Sequence, residues 1–300
     1  MNDHRPGVGT TPNADSVRRF LFEDAAVRGE IVRLDHSIKE ILAQHFYPVP
    51  VAALLGEMLA ASVLLSSTIK FSGTLSLQAK SSGPVGLIFA ECSHDRRVRG
   101  FARVADEAIG EGISSLLRQG TLAITITPDT GQRYQGIVPL DADTLGGCLE
   151  HYFRQSEQLA TAVWLASDGD NCAAGMILQT LPAAARDLPD QGRHWEHLHQ
   201  LAATLSADEL LGDPFERLLY KLFHDERVRL HEPRPVRFGC RCSAVRAAAT
   251  LKALGVAEAR SIIEERGTIL IHCEFCQQEY RFDAAEVERL FEAPPEDTMH

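Results

Sequence analysis

The sequence predicts an α+β fold: a mainly antiparallel N-terminal sheet with covering helices, then a helical linker, then a small cysteine-bearing module. Three observations carry this reading. Short segments of alternating apolar and polar residues, separated by turn signals, fill residues 15–182. Residues 183–231 change to helical period, with no convincing strand. Four of the seven cysteines fall in the last fifth of the chain. The 300 residues allow roughly two domains of ordinary size, and 45% hydrophobic with 24% charged residues excludes a disordered or fibrous protein. The predicted divisions are an α+β core over 1–182, a linker over 183–236 and a C-terminal module over 237–300.

Residues 1–14 are polar and read as a flexible tail, without the apolar segment of a signal peptide. Val17–Asp24 and Val27–Leu34 read as strands. Asp35 is placed to cap a helix that follows it. Beyond Pro48 and Pro50, Val51–Ile69 is apolar enough to raise the question of a membrane. Glu57 inside it and Ser62, Ser66, Ser67 and Thr68 at its end favour a buried core helix of a soluble protein. Strands follow at Gly73–Lys80, Val85–Cys92, Val98–Val104, Gly120–Thr127 and Tyr134–Pro139, with turns at Gly83-Pro84 and Pro128-Asp-Thr-Gly. A helix is predicted from Asp143 to Gln158. Ala160–Ala166 and Ala173–Leu181 are two more strands around Asp168-Gly-Asp-Asn. In the linker, Asp213-Pro-Phe-Glu is a helix start with Asp213 as cap. Leu211, Phe215, Leu218, Leu219 and Leu222 then form an apolar stripe that needs a cover. The end, Glu292 to His300, reads as frayed.

The C-terminal cysteines form two close pairs, Cys240-Arg-Cys242 and Cys273-Glu-Phe-Cys276, separated by one loop. That is the spacing of a four-thiolate site, each pair taking two corners of a tetrahedron. Soft thiolates select zinc over magnesium or calcium. Ile269–His272, the C-x-x-C turn and Tyr280–Phe282 read as strand, knuckle and strand. Simple packing would explain one or two cysteines, not two tight pairs. A thioredoxin-like dithiol would leave the second pair without a role. His272 adjoins Cys273 and would point the opposite way along a strand, so it is read as a bystander.

A purely structural zinc is one reading. Arg234, Arg237, Arg241 and Arg246 around the first pair favour ionised, oxidant-sensitive thiols, while Glu274 opposes them. A structural zinc is worth on the order of 10–16 kcal/mol to a small domain. Two near-neighbour disulfides would contribute roughly 2 kcal/mol each before strain. Oxidation would then release the metal and unfold the module. Either that event frees the apolar stripe, or the stripe is ordinary core; the residues alone leave both open.

These residues resemble a known family. The cysteine pattern within Pro235-Val-Arg-Phe-Gly-Cys-Arg-Cys-Ser and Cys273-Glu-Phe-Cys276, followed by Tyr280-Arg-Phe-Asp, is similar to the redox-regulated heat-shock holdases, the 33 kDa chaperonins. Gly73-Thr-Leu-Ser-Leu-Gln, Tyr134-Gln-Gly-Ile-Val-Pro-Leu, Cys148-Leu-Glu-His-Tyr-Phe and Ala174-Gly-Met-Ile-Leu-Gln extend the likeness, which covers about residues 15–292. The resemblance implies a cytoplasmic, ATP-independent chaperone, inactive when Cys240, Cys242, Cys273 and Cys276 hold one zinc ion. It implies that oxidation pairs Cys240 with Cys242 and Cys273 with Cys276. Zinc then leaves, module and linker unfold, and the protein dimerises and holds unfolding or oxidatively damaged clients.

Two other classes fit parts of the pattern. A zinc-ribbon nucleic-acid binder would use the same thiols, but a net charge of -11 and no basic-aromatic stripes argue against nucleic acid as partner. A thiol oxidoreductase on Cys273 and Cys276 is the one enzyme worth weighing. There is no Walker loop, G-x-G-x-x-G or G-x-S-x-G, and His36, His94 and His151 are scattered. The expectation is therefore a non-enzyme without a membrane partner. Cys92, Cys148 and Cys172 receive no function.

Overall fold

The computed structural model describes residues 15–105, 110, 112–181 and 191–292. The tail read over 1–14, the end over 293–300 and the first linker residues lie outside them. The chain divides into two compact units between Gly239 and Cys240.

The first unit opens with β1 (Ser16–Phe22), β2 (Val27–Leu34), α1 (His36–Leu42), α2 (Val49–Thr68), β3 (Gly73–Lys80), β4 (Val85–Ser93) and β5 (Arg97–Val104). Next come the one-turn α3 (Ile113–Leu116), β6 (Thr121–Pro128), β7 (Tyr134–Pro139), α4 (Leu145–Tyr152) with a π-helical turn over Phe153–Glu157, β8 (Thr161–Ser167) and β9 (Ala173–Thr180). The linker supplies α5 (Gln191–Ala202), α6 (Ala207–Gly212), α7 (Phe215–Phe223), β10 (Val228–Leu230) and β11 (Arg234–Pro235), and β12 (Arg237–Phe238), predicted as part of the C-terminal module, still belongs to this first unit.

These strands form two sheets. One has the order β10-β1-β2-β9-β8, with β11 also on β1; the other has the order β12-β5-β4-β3-β6-β7. Every pairing in them is antiparallel except β12 with β5. The helix α2 explains why there are two. From Val51 to Ser67 only Ala53 and Glu57 are less than fully buried, so the helix needs apolar cover all round. It packs on β2, β8 and β9 of one sheet and on β3, β4 and β5 of the other. A Cβ on Gly56 would stand 2.3 Å from Ser167 Oγ, so glycine is what lets the helix lie this close to β8. By length and composition α2 could cross a membrane, but it is spent as the core helix, with 78% of its most apolar window buried.

Two predicted caps are corrected. Asp35 makes no capping bond; the Asp15 carboxylate accepts from the backbone N–H groups of Asp35 (2.6 Å), His36 (2.8 Å) and Ser37 (2.6 Å) instead. The β1–β2 register, pairing Ser16 with Arg33, carries Asp15 to the start of α1. Asp213 likewise does not cap α7, whose N-cap is Pro214; its carboxylate takes Lys221 Nζ at 2.5 Å. A lysine two turns along the helix outbids the backbone, being charged.

The linker differs from its prediction in one respect. Residues 228–230, read as strandless, are β10, paired Phe20 with Leu230 and Phe22 with Val228. Three residues are too few for alternation to show, and the partner lies two hundred positions away. The predicted stripe is buried except at Leu211, which is half-buried: Phe215, Leu218, Leu219 and Leu222 join Leu198 and Leu210 over Phe20, Ile31, Met176 and Leu178 of the first sheet. Phe22 and Phe223 meet edge to face at 5.0 Å between ring centres. Arg33, 3% exposed, lies over the Phe215 ring at 5.3 Å and donates to the carbonyls of Leu210 and Asp213, both at 2.7 Å.

The second unit contains α8 (Ala244–Leu254), α9 (Val256–Arg266), β13 (Thr268–His272), β14 (Glu279–Asp283) and α10 (Ala284–Glu292). The strands are an antiparallel hairpin, Thr268 opposite Asp283 and His272 opposite Glu279. The three helices were not legible as such. Their apolar faces meet the hairpin in a core of Leu251, Ala259, Ile269 and Val287.

Candidate metal centre

The four cysteines reach one point from two local structures. Cys240 and Cys242 lie in the loop before α8, which Ser243 ends by accepting from the Arg246 N–H at 3.3 Å. Cys273 and Cys276 sit in the tight connection at the end of the β13–β14 hairpin. There Gln277 N–H donates to Cys273 O (2.8 Å) and Cys273 N–H to Gln278 O (3.0 Å), with Gln277 in the left-handed region at φ 52°. The expected strand, knuckle and strand is this hairpin.

All four sulfurs lie within 4.8 Å of one another. Cys240 Sγ is 3.5 Å from Cys273 Sγ, and Cys242 Sγ is 3.4 Å from Cys276 Sγ. Both distances far exceed a disulfide's S–S length of about 2.05 Å. They approach the edge of about 3.8 Å of a tetrahedron with metal–sulfur bonds of about 2.3 Å. These contacts also cross between the pairs, so each pair supplies one end of each close approach. Four soft donors, half-buried and closed around one point, fit a tetrahedral thiolate-bound metal.

Burial raises the Cys240 thiol, but hydrogen bonds from the Cys242 backbone and from the other three thiols outweigh it and bring it down to about 7. Burial raises Cys273 and, with hydrogen bonds to its three neighbours, Cys276. Sequence reasoning missed Tyr280 as a member of the site. Its hydroxyl donates to Cys242 Sγ at 3.1 Å, and that bond, followed by desolvation, lifts the phenol to about 12. The available signal was a tyrosine four residues beyond Cys276, on the inward phase of β14.

His272 stands outside the cluster, its Nε2 3.8 Å from Glu279 Oε2. Two of the four arginines assigned to the site belong to the first unit and are engaged there. Arg234 meets Glu30 at 2.8 Å and Arg237 meets Asp95 at 3.9 Å. Arg246 donates to the Arg241 carbonyl at 2.8 Å. Cys92, Cys148 and Cys172 are buried free thiols of the first unit, and burial pushes Cys92 and Cys172 up to about 12 and Cys148 upward. They are poor nucleophiles.

Fold and site together define a two-sheet α+β body followed by a small four-cysteine module whose sulfurs fit a tetrahedral metal. The chain belongs to the Hsp33 family, whose model, described as Hsp33 protein, matches residues 15–283. It is 51% identical over 283 residues to the 33 kDa chaperonin of Pseudomonas paraeruginosa (strain DSM 24068 / PA7), covering 93% of this chain and 95% of the relative. It is 50% identical over 281 residues to the 33 kDa chaperonin of Azotobacter vinelandii, covering 92% and 94%. The crystal structure of the Thermotoga maritima 33 kDa chaperonin (heat shock protein 33 homolog) aligns with a TM-score of 0.79 at 21% identity, over 92% of this chain and 98% of that one. At that identity the likeness is one of fold.

Proposed function

We propose that this protein is a redox-regulated, ATP-independent holdase of the cytoplasm, inactive while Cys240, Cys242, Cys273 and Cys276 hold one zinc ion. The observation that carries the reading is the convergence of the four sulfurs within 4.8 Å. Bound zinc would keep the four sulfurs as thiolates and tie α8 to the hairpin. On oxidation the near-neighbour sulfurs pair, Cys240 with Cys242 and Cys273 with Cys276. Each pair gives two electrons to one peroxide, which becomes two waters with protons from solvent. Paired sulfurs no longer serve as thiolate donors, and the small core of Leu251, Ala259, Ile269 and Val287 is left to hold the module.

The second half concerns the linker. Its stripe covers an apolar face of the first sheet. Unfolding of module and linker would expose that face, and large apolar patches bind other apolar chains. The partners are unfolding or oxidatively damaged proteins and a second copy of the chain in the active state. No role for nucleic acid, membrane or enzymatic turnover is proposed. Arg234 and Arg237, part of the cluster that suggested nucleic acid, pair with carboxylates of the first unit.

The test is metal content, free thiols and suppression of client aggregation, before and after peroxide with mild heat. The expected result is loss of one metal equivalent and four thiols, together with gain of anti-aggregation activity. Metal release without such activity would refute the switch, and multiple turnover in a glutathione-coupled assay would favour an oxidoreductase.

A further inference from the structure

Glu57 is the one charged residue of α2, a helix otherwise apolar or small. The holdase reading gives it no task. It has no hydrogen bond or ion pair with a described residue, and burial alone lifts its carboxyl to about 7. An isolated buried carboxylate is costly to keep, so its surroundings matter.

Glu57 lines a cavity of about 580 Å³ within the first unit, in the size range of small-molecule sites. The walls come from α2, the start of α4, strand β8 and the linker turn Leu205–Leu210. Leu54, Ile113, Leu145, Val163 and Leu210 make the wall largely apolar. The charged groups on it are Glu57, Asp143 and Asp168, and no Lys, Arg or His is among the described lining residues. Asp168 is held rigidly, its Oδ1 accepting from the N–H groups of Asp170 (3.0 Å), Asn171 (2.8 Å) and Cys172 (2.9 Å). The three carboxylates do not converge as metal ligands; among the described residues only the four cysteines do.

We propose that this cavity binds a small organic cation, an alkyl- or arylalkylammonium ion, whose ammonium pairs with Glu57 and whose hydrocarbon body lies on the apolar wall. The sign follows from the lining: with no counter-cation among the described residues, its carboxylates repel anions, accept at most a hydrogen bond from a neutral ligand, and give a cation both that bond and ionic attraction. The ammonium recruits the ionised carboxylate, so binding releases a proton from Glu57 and strengthens as pH rises through neutrality. Among the described residues the other titratable groups on the lining, Asp143 and Asp168, carry the same sign. Because Ala207 and Leu210 of α6 form part of the wall, an occupied cavity holds that linker helix against the body. The inference does not rest on the holdase reading.

The test is calorimetric titration of the full chain with 4-phenylbutylammonium, 4-phenylbutanol and 4-phenylbutyrate at pH 6 and pH 8, bracketing the Glu57 carboxyl at about 7. The ammonium should bind roughly tenfold or more tighter than the alcohol, the worth of the ionic attraction added to the hydrogen bond, and the carboxylate more weakly than either. Ammonium affinity should rise from pH 6 to pH 8, lose that rise in Glu57→Gln, and slow hydrogen exchange in α6. Equal affinity for ammonium and alcohol, no ammonium binding at millimolar concentration, or wild-type affinity in Glu57→Gln would overturn the proposal. If Glu57→Gln fails to fold, the ammonium-to-alcohol ratio on the wild-type chain decides.

Discussion

The two units of this chain are held together by different physics. The first surrounds α2 with two sheets and buries Leu55, Met58, Leu59 and Leu64 completely, with a second cluster around Phe20 and Phe22. The second closes three helices and a hairpin over five buried apolar side chains among its described residues, two of them alanines. A unit of that size with so small a core needs a staple. The four sulfurs are its candidate. The difference teaches where, on the proposed reading, a chemical signal would act: on the unit whose candidate staple is sulfur.

The sharpest way to break this comparison is to remove the staple. Chelation of the metal, or Cys276→Ser, should unfold residues 240–292 and leave α2 protected, since a structural zinc is worth on the order of 10–16 kcal/mol. Hydrogen exchange reads both regions in one sample, and equal protection of the module with and without metal would end the contrast. The converse change is Leu59→Ala, at a side chain with 0% exposure. It should cost the first unit about 2–5 kcal/mol and lower its thermal midpoint, with metal affinity unaltered. A parallel fall in metal affinity would show that the units are not energetically separate.

Glu57 sharpens the picture of the first unit. Its carboxyl is raised from 4.5 to about 7 in the fold by burial. Below pH 4.5 it is protonated in both states and contributes nothing. Between pH 4.5 and pH 7 the unfolded chain ionises while the folded one keeps its proton. Stability therefore falls across that window, by about 3 kcal/mol, and stays lower above it. Denaturation of wild type and Glu57→Gln from pH 4 to pH 8 should show the gap opening in favour of Gln; a constant gap would refute it. The smallest effect is expected at Tyr280→Phe, which removes the hydroxyl donated to Cys242 Sγ. Metal affinity, read by competition with a chromophoric chelator, should drop by about tenfold, with the hairpin still formed.

The strands from Gly73 to Leu181 and the core helix from Val51 were legible within a residue or two, because alternation and an unbroken apolar run are local properties. The caps were not. Asp35 and Asp213 had the right chemistry in the right place, yet the cap of α1 comes from Asp15 and the carboxylate of Asp213 goes to Lys221. Which acceptor reaches a helix start depends on what the tertiary register delivers there. The helices of the second unit were overlooked although local signals existed. Ser243 caps α8, Gly267 at φ 72° ends α9, and Asp283 and Glu286 exchange capping bonds at the start of α10. Short apolar periods among many charges hid them.

For the site, a C-x-C pair and a C-x-x-C pair at that spacing announced a four-thiolate cluster, because ligand type and local spacing are written in the chain itself. The amino-acid order therefore determined the donor set, the α+β character and the apolar stripe of α7. Only the tertiary structure decided which sulfur faces which, that Tyr280 joins Cys242, that Arg234 and Arg237 turn to Glu30 and Asp95, and that Glu57 opens on a cavity. Each of these is a meeting of residues far apart in sequence. Such meetings are set by sheet order and packing, which no local pattern specifies.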